Sequence, residues 1–117
     1  MYRIENDLLG DLQIPENAYY GVQTQRAIEN FNISNERLSN YPSFIKALAY
    51  VKWAAAKTNM ELNVLDTTIG NAIIEACKDI ITGKFDKEFP IDMIQGGAGT
   101  STNMNINEVV ANVALEK

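Results

Sequence analysis

Three stretches of the chain carry apolar residues at helical spacing, with short polar segments between them. From Pro42 onward, Phe44, Leu48, Val51, Ala55 and Leu62 recur on one predicted helix face. Pro42 suits the first helical position, and the run WAAAK, Trp53 to Lys57, has high helix propensity. A turn is expected near Asn63–Leu65. Asp66 is a good N-cap for a second helix. Its buried stripe reads Ile69, Ile73, Ala76 and Ile80, and Gly83 is placed to end it in the left-handed conformation. A third helix is expected to start close to Thr100. Met104, Val109 and Val113, with Ile106 and Val110, give it a broad apolar face; Asn105, Glu108 and Asn112 form its polar edge.

Outside these stretches the pattern is weaker. Residues 1–20, punctuated by Gly10, Pro15 and Asn17, read as irregular or extended. In YYGVQTQRAIENF, Gly21 opens a short helix carrying Arg26 and Ile28. NISNERLSNYP is loop-like, and KFDKEFPIDMI is a connector with one short extended piece around Pro90. The expected fold class is therefore mainly α: an irregular N-terminal segment and about three principal helices. There is no internal repeat or low-complexity tract. The last helix is followed by no Gly, Asn or Pro that would stop it. The expectation is that it continues into further sequence and that these residues are a piece of a longer protein.

Bulk properties narrow the function classes. A length of 117 residues suits one domain, and a hydrophobic content of 46% argues against disorder. A net charge of −5 argues against a nucleic-acid or anionic-membrane partner, which would require a basic face. No stretch approaches the roughly 20 apolar residues of a membrane helix, and MYRIENDLLG is not a secretory signal. The single cysteine, Cys77, permits no internal disulfide and fits a reducing compartment. The expected location is the cytoplasm. There is no histidine, so a Ser-His or Cys-His nucleophile pair cannot be built from this chain alone. Neither a metal site nor a cofactor is expected.

The chemistry concentrates in QGGAGTSTNMN, Gln95 to Asn105. Gly96, Gly97 and Gly99 permit uncommon backbone angles and let a ligand approach the main chain. Thr100, Ser101 and Thr102 offer hydroxyls, and the first N–H groups of the following helix are unpaired. Together they can hold a carboxylate or phosphate. The plainer alternative is a flexible turn with a helix cap, and composition leaves both open. A phosphate-binding P-loop lacks its terminal glycine-lysine pair, and the dinucleotide fingerprint fails at Thr102, where it needs a glycine. Asn103, Asn105 and Asn107 are poor interior helix formers. They serve either the site or a buried amide network.

GGAGTSTNMNINEVVANVALE resembles the first signature of the fumarase/aspartase superfamily, on its aspartase side. AYYGVQTQRAIENFNIS, VKWAAAKTNMEL and GKFDKEFPIDMIQ match the same enzymes in order and spacing, so the likeness covers the chain from Arg3 onward. It implies the small helical N-terminal domain of that fold, residues 1–117, with the long helical bundle and the C-terminal domain lying outside this chain. It implies a homotetramer whose active sites draw on three subunits. The implied reaction is the reversible deamination of L-aspartate to fumarate and ammonia. A loop serine takes the Cβ proton and the β-carboxylate takes up the charge as an aci-carboxylate. Thr100 matches the family threonine that hydrogen-bonds substrate, with Ala98, Gly99 and Ser101 beside it; Asn103 and Asn105 would support them, and Arg26 would be structural or at a subunit contact. The serine loop and the histidine-bearing motif have no counterpart here, so no catalytic residue is expected in this chain and its isolated form should be inactive. Fumarases of the family usually carry a serine where Ala98 stands. A class II fumarase domain is the nearer alternative, and a stand-alone helical module that binds or regulates a partner is the other.

Overall fold

In the computed structural model all 117 residues, Met1–Lys117, are described. Of the two forms open to residues 1–20, the extended one is realised. Residues 1–20 are not merely irregular: β1 (Tyr2–Asp7) and β2 (Gly10–Pro15) form an antiparallel hairpin, in register from Tyr2 opposite Pro15 to Asp7 opposite Gly10. β2 keeps the ordinary alternation, with Ile14 buried and Leu12 half-buried, but β1 lacks the usual signal because its alternation is inverted. Tyr2 and Ile4 point outward, 66% and 67% exposed, while Arg3, Glu5 and Asp7 face the protein. These inward charges are all engaged. Arg3 donates to the carbonyls of Pro15, Glu16, Ala18 and Tyr20 at 2.8–3.0 Å. Asp7 accepts from Arg26 Nε and Nη2 at 2.9 and 2.8 Å.

The short helix α1 (Val22–Asn30) is too brief to stand alone. Its first four amides are all taken by carboxylates from other elements. Val22 N–H donates to Glu5; those of Gly21, Gln23 and Thr24 donate to Glu108, which also accepts the Thr24 hydroxyl at 2.6 Å. Carboxylates at a helix N-terminus oppose its dipole favourably. The approach is so close that a β-carbon at Gly21 would lie 2.7 Å from Glu108 Oε2 and 2.8 Å from Glu5 Oε1.

Helix α2 (Pro42–Glu61) begins at the expected proline, but it buries a different face. Ile45, Ala49 and Ala56 are buried, whereas Phe44, Val51 and Leu62 are 42%, 62% and 65% exposed. The helix is apolar on several sides, so periodicity does not select one. Small alanines at the contact let neighbouring helices approach closely. Asn63, at φ 60°, closes the helix, and Val64 N–H reaches back to Asn59 O. Asp66 caps α3 (Thr67–Ile81) as expected, accepting from the Thr68 and Ile69 amides. Ala76 and Ile80 are buried on it, while Ile69, expected inside, is 55% exposed. Gly83 ends the helix region at φ 90°.

The connector runs through a 3-10 turn at Asp86–Glu88 and then threads the core with Phe89 and Ile91. Leu38 N–H bonds Ile91 O and Met93 N–H bonds Glu36 O, so the extended piece near Pro90 pairs with the segment before α2. Leu38, Ile45, Ala49, Ala76 and Ile80 close around it with Ile106, Val109 and Val113 of α4 (Thr100–Leu115). The polar edge predicted for α4 is the seam that joins it to the connector and to the N-terminal segment around α1. Asn105 Nδ2 donates to Glu88 O at 2.9 Å, Glu108 caps α1, and Asn112 Nδ2 donates to Tyr19 O at 2.7 Å. Beyond the seam, α3 and α4 leave an open apolar groove of about 320 Å³ lined by Ile69, Ala72, Ile73, Ala111, Ala114 and Leu115. No helix is long and apolar enough to cross a membrane.

Candidate functional site

Helix α4 begins at Thr100, and its N-cap is Gly99, at φ 88°, ψ 18°. A side chain would strain that left-handed backbone, which accounts for the third glycine. The cap residue therefore supplies no side-chain oxygen, and the amides depend on other partners. Asn103 N–H bonds Gly99 O within the turn. Thr102 N–H and Oγ1 both donate to Gln95 Oε1, at 3.0 and 3.3 Å. The amides and hydroxyls of Thr100 and Ser101 have no protein partner. Thr100 and Ala98 are exposed, and Ser101 and Gly99 are half-buried. The amides of Ala98 and Gly99 are unpartnered as well, so the expected substrate-binding residues sit together as a bare donor edge of four N–H and two O–H groups. The turn lines none of the chain's grooves, so this edge lies open to solvent rather than in a cleft.

The other expected residues separate from it. Asn103 is exposed on a neighbouring face, where its Oδ1 accepts from Lys52 Nζ at 2.7 Å. Asn105 is fully buried, its Nδ2 on Glu88 O and its Oδ1 without a partner, in helix packing rather than in the turn. Arg26 lies at the hairpin, bonded to Asp7 and to Gly10 O. Its hydrogen bond to Asp7 raises its own pKa and lowers that of Asp7. Cys77 is no nucleophile, because burial pushes its thiol up to about 11.

Two residues that sequence reasoning passed over hold the turn in place. Asp92 is fully buried and accepts from the amides of Ile33, Ser34 and Ile94 and from the Ser34 hydroxyl, all at 2.7–2.8 Å, with Arg37 Nη1 at 3.3 Å. The Ser34 amide is the largest cause that holds its carboxyl well below the usual range; burial opposes this, and the Ile94 amide, Ser34 hydroxyl and Ile33 amide add to it. Gln95 then bridges, its Nε2 donating to Asp92 O at 3.1 Å while its Oε1 serves Thr102. One signal was available: a carboxylate in the apolar run FPIDMI requires buried partners.

The fold is thus a small helical domain that presents unpartnered amides and hydroxyls at a glycine-rich turn. The chain belongs to the lyase family, whose family model matches residues 10–117. It is 58% identical over 114 residues to the aspartate ammonia-lyase of Pseudomonas aeruginosa and 54% identical over 115 residues to that of Escherichia coli K12, in each case over 97% of this chain. A solved structure from Brucella melitensis, described as fumarate lyase:delta crystallin, superposes with a TM-score of 0.97 at 52% identity; it covers 99% of this chain and 27% of that one. A class II fumarase from Schistosoma mansoni superposes with a TM-score of 0.94 at 37% identity, covering 99% of this chain and 24% of that one. The chain spans 24% of the length of the two ammonia-lyases.

Proposed function

We propose that residues 1–117 are the N-terminal domain of an aspartate ammonia-lyase and that the Thr100 edge forms one wall of its substrate site. The observation that carries this reading is the pair of unpartnered donors, Thr100 and Ser101, at the start of α4. Similarity to the aspartate ammonia-lyases supports the substrate. Removal of the Cβ proton of aspartate shifts negative charge onto its β-carboxylate. Donors aimed at that charge bind the transition state more tightly than the ground state and so speed the reaction. In this reading the Thr100 hydroxyl and the Thr100 and Ser101 amides are such donors, and the base lies on a serine loop outside these residues. The Ala98 methyl faces the ligand where a fumarase carries a hydroxyl, and a site that lacks a hydroxyl-binding partner disfavours a hydroxy acid. The active unit is a homotetramer in which other copies supply the remaining walls.

The test is turnover by the complete polypeptide that carries this segment, followed through the ultraviolet absorbance of fumarate. Formation of fumarate from L-aspartate and not from L-malate supports the reading. Turnover of malate in preference to aspartate makes the protein a fumarase, and no turnover of either contradicts both.

A further inference from the structure

Gly96, Gly97, Ala98 and Gly99 make almost no contacts that would define the turn they form. A β-carbon at Gly97 or Gly99 would meet nothing within 4 Å, and no backbone hydrogen bond crosses from residues 94–96 to residues 97–102. Gly96 alone is packed, against the Phe31 ring. A turn rich in glycine has high conformational entropy when free. The link that spans it is one side chain: Gln95 Oε1 accepts from Thr102 N–H and Oγ1, and Gln95 Nε2 donates to Asp92 O. Asp92 is itself anchored by four donors at 2.7–2.8 Å from residues 33, 34 and 94.

We propose that Gln95 is a positioning residue for the substrate edge: its amide clamps the start of α4 to the Asp92 anchor, which holds the glycine turn in the one shape that presents Thr100 and Ser101 to a carboxylate. This rests on the reading of the turn given under Proposed function. The clamp has a second effect. It occupies the Thr102 amide, so a carboxylate ligand is directed to the Thr100 and Ser101 amides and hydroxyls. Losing the clamp lets the turn sample other shapes, and apparent affinity falls by the fraction of time the competent shape is populated.

The experiment is Gln95→Met in the complete polypeptide, which keeps side-chain length and removes both halves of the clamp. Two readouts are taken. Hydrogen exchange at the Thr102 amide is expected to accelerate about tenfold, while exchange in the middle of α2 and α3 is unchanged. With L-aspartate, kcat/KM is expected to fall about tenfold at an unaltered melting temperature. Gln95→Glu keeps an acceptor for Thr102 and places a charge beside the donor edge. Because it also sets a carboxylate oxygen against Asp92 O, where Nε2 donated, it breaks the anchoring half of the clamp. Thr102 exchange is expected to accelerate less than in Gln95→Met while KM for aspartate rises, and exchange faster than in Gln95→Met counts against the clamp. Wild-type Thr102 exchange in Gln95→Met overturns the clamp. So does accelerated exchange with wild-type kcat/KM. If the wild-type protein does not act on aspartate, the substrate reading fails while the exchange measurement still decides the clamp.

Discussion

Replacing Glu108 by glutamine exchanges one oxygen for an NH2 group at the point where α4 holds α1. In the wild-type protein one carboxylate accepts four hydrogen bonds: Oε1 from the Gly21 and Thr24 amides and the Thr24 hydroxyl, Oε2 from the Gln23 amide. Glutamine has a single acceptor oxygen. Its best placement keeps the three bonds at Oε1 and turns the NH2 toward Gln23 N–H, donor against donor. The loss is one hydrogen bond to a charged group, about 1.5–3 kcal/mol, and the attraction of the charge for the helix N-terminus, about 0.3–1 kcal/mol. Together they come to roughly 2–4 kcal/mol. By the usual tenfold per 1.4 kcal/mol, exchange of the Gln23 and Thr24 amides should then accelerate roughly thirty- to several-hundredfold. Asp66→Ala is the internal control. It removes an exposed cap worth about 1 kcal/mol and should speed the Thr68 and Ile69 amides about fivefold. Acceleration at α1 no greater than at the control would refute the argument. So would a uniform acceleration through α2 and α3, because the effect would then be global.

Asp92 supplies a pH prediction. Its carboxyl is held below the ordinary range in the folded protein, so its stabilisation is complete above the unfolded carboxyl value of about 3.9. That stabilisation is lost progressively as pH falls from there toward the folded value. Melting curves recorded from about pH 7 to about pH 3 should show a shallower acid-side decline for Asp92→Asn than for wild type, and parallel curves would contradict this. The chain on its own is expected to form no fumarate from aspartate, since in the proposed reading it supplies one wall of the site and the base lies outside these residues. Turnover by a preparation freed of contaminating lyase, and lost when the chain is removed, would contradict that expectation.

Features set by neighbouring residues were legible in the sequence. Pro42, Asp66, Gly83 and Thr100 mark helix boundaries because the caps and breakers act within one turn of where they stand. The pairing of the two strands was not legible, because in β1 Arg3, Glu5 and Asp7 turn inward to partners 12 to 19 residues away and reverse the expected alternation. The buried face of α2 was ambiguous because Phe44, Val51 and Leu62 are as apolar as Ile45 and Ala49, and only the packing of α3 and α4 selects between them. The asparagine edge of α4 was visible as polarity, but its partners Glu88, Tyr19 and Thr24 come from remote segments. The donor edge itself was readable from its glycines and hydroxyls. What holds it, Asp92 and Gln95, depends on residues 33 and 34, which no local pattern connects to it.

The measurement that bears most directly on the account is Thr100→Val in the complete polypeptide, with kcat/KM for L-aspartate and melting temperature recorded on the same preparation. The substitution keeps shape and removes one hydroxyl, which makes no cap bond because Gly99 is the N-cap. A hydrogen bond to a charged group is worth about 1.5–3 kcal/mol, so kcat/KM should fall roughly ten- to a hundredfold while the melting temperature holds. Wild-type kcat/KM with a lowered melting temperature would contradict the account and make Thr100 a part of the helix rather than of the site.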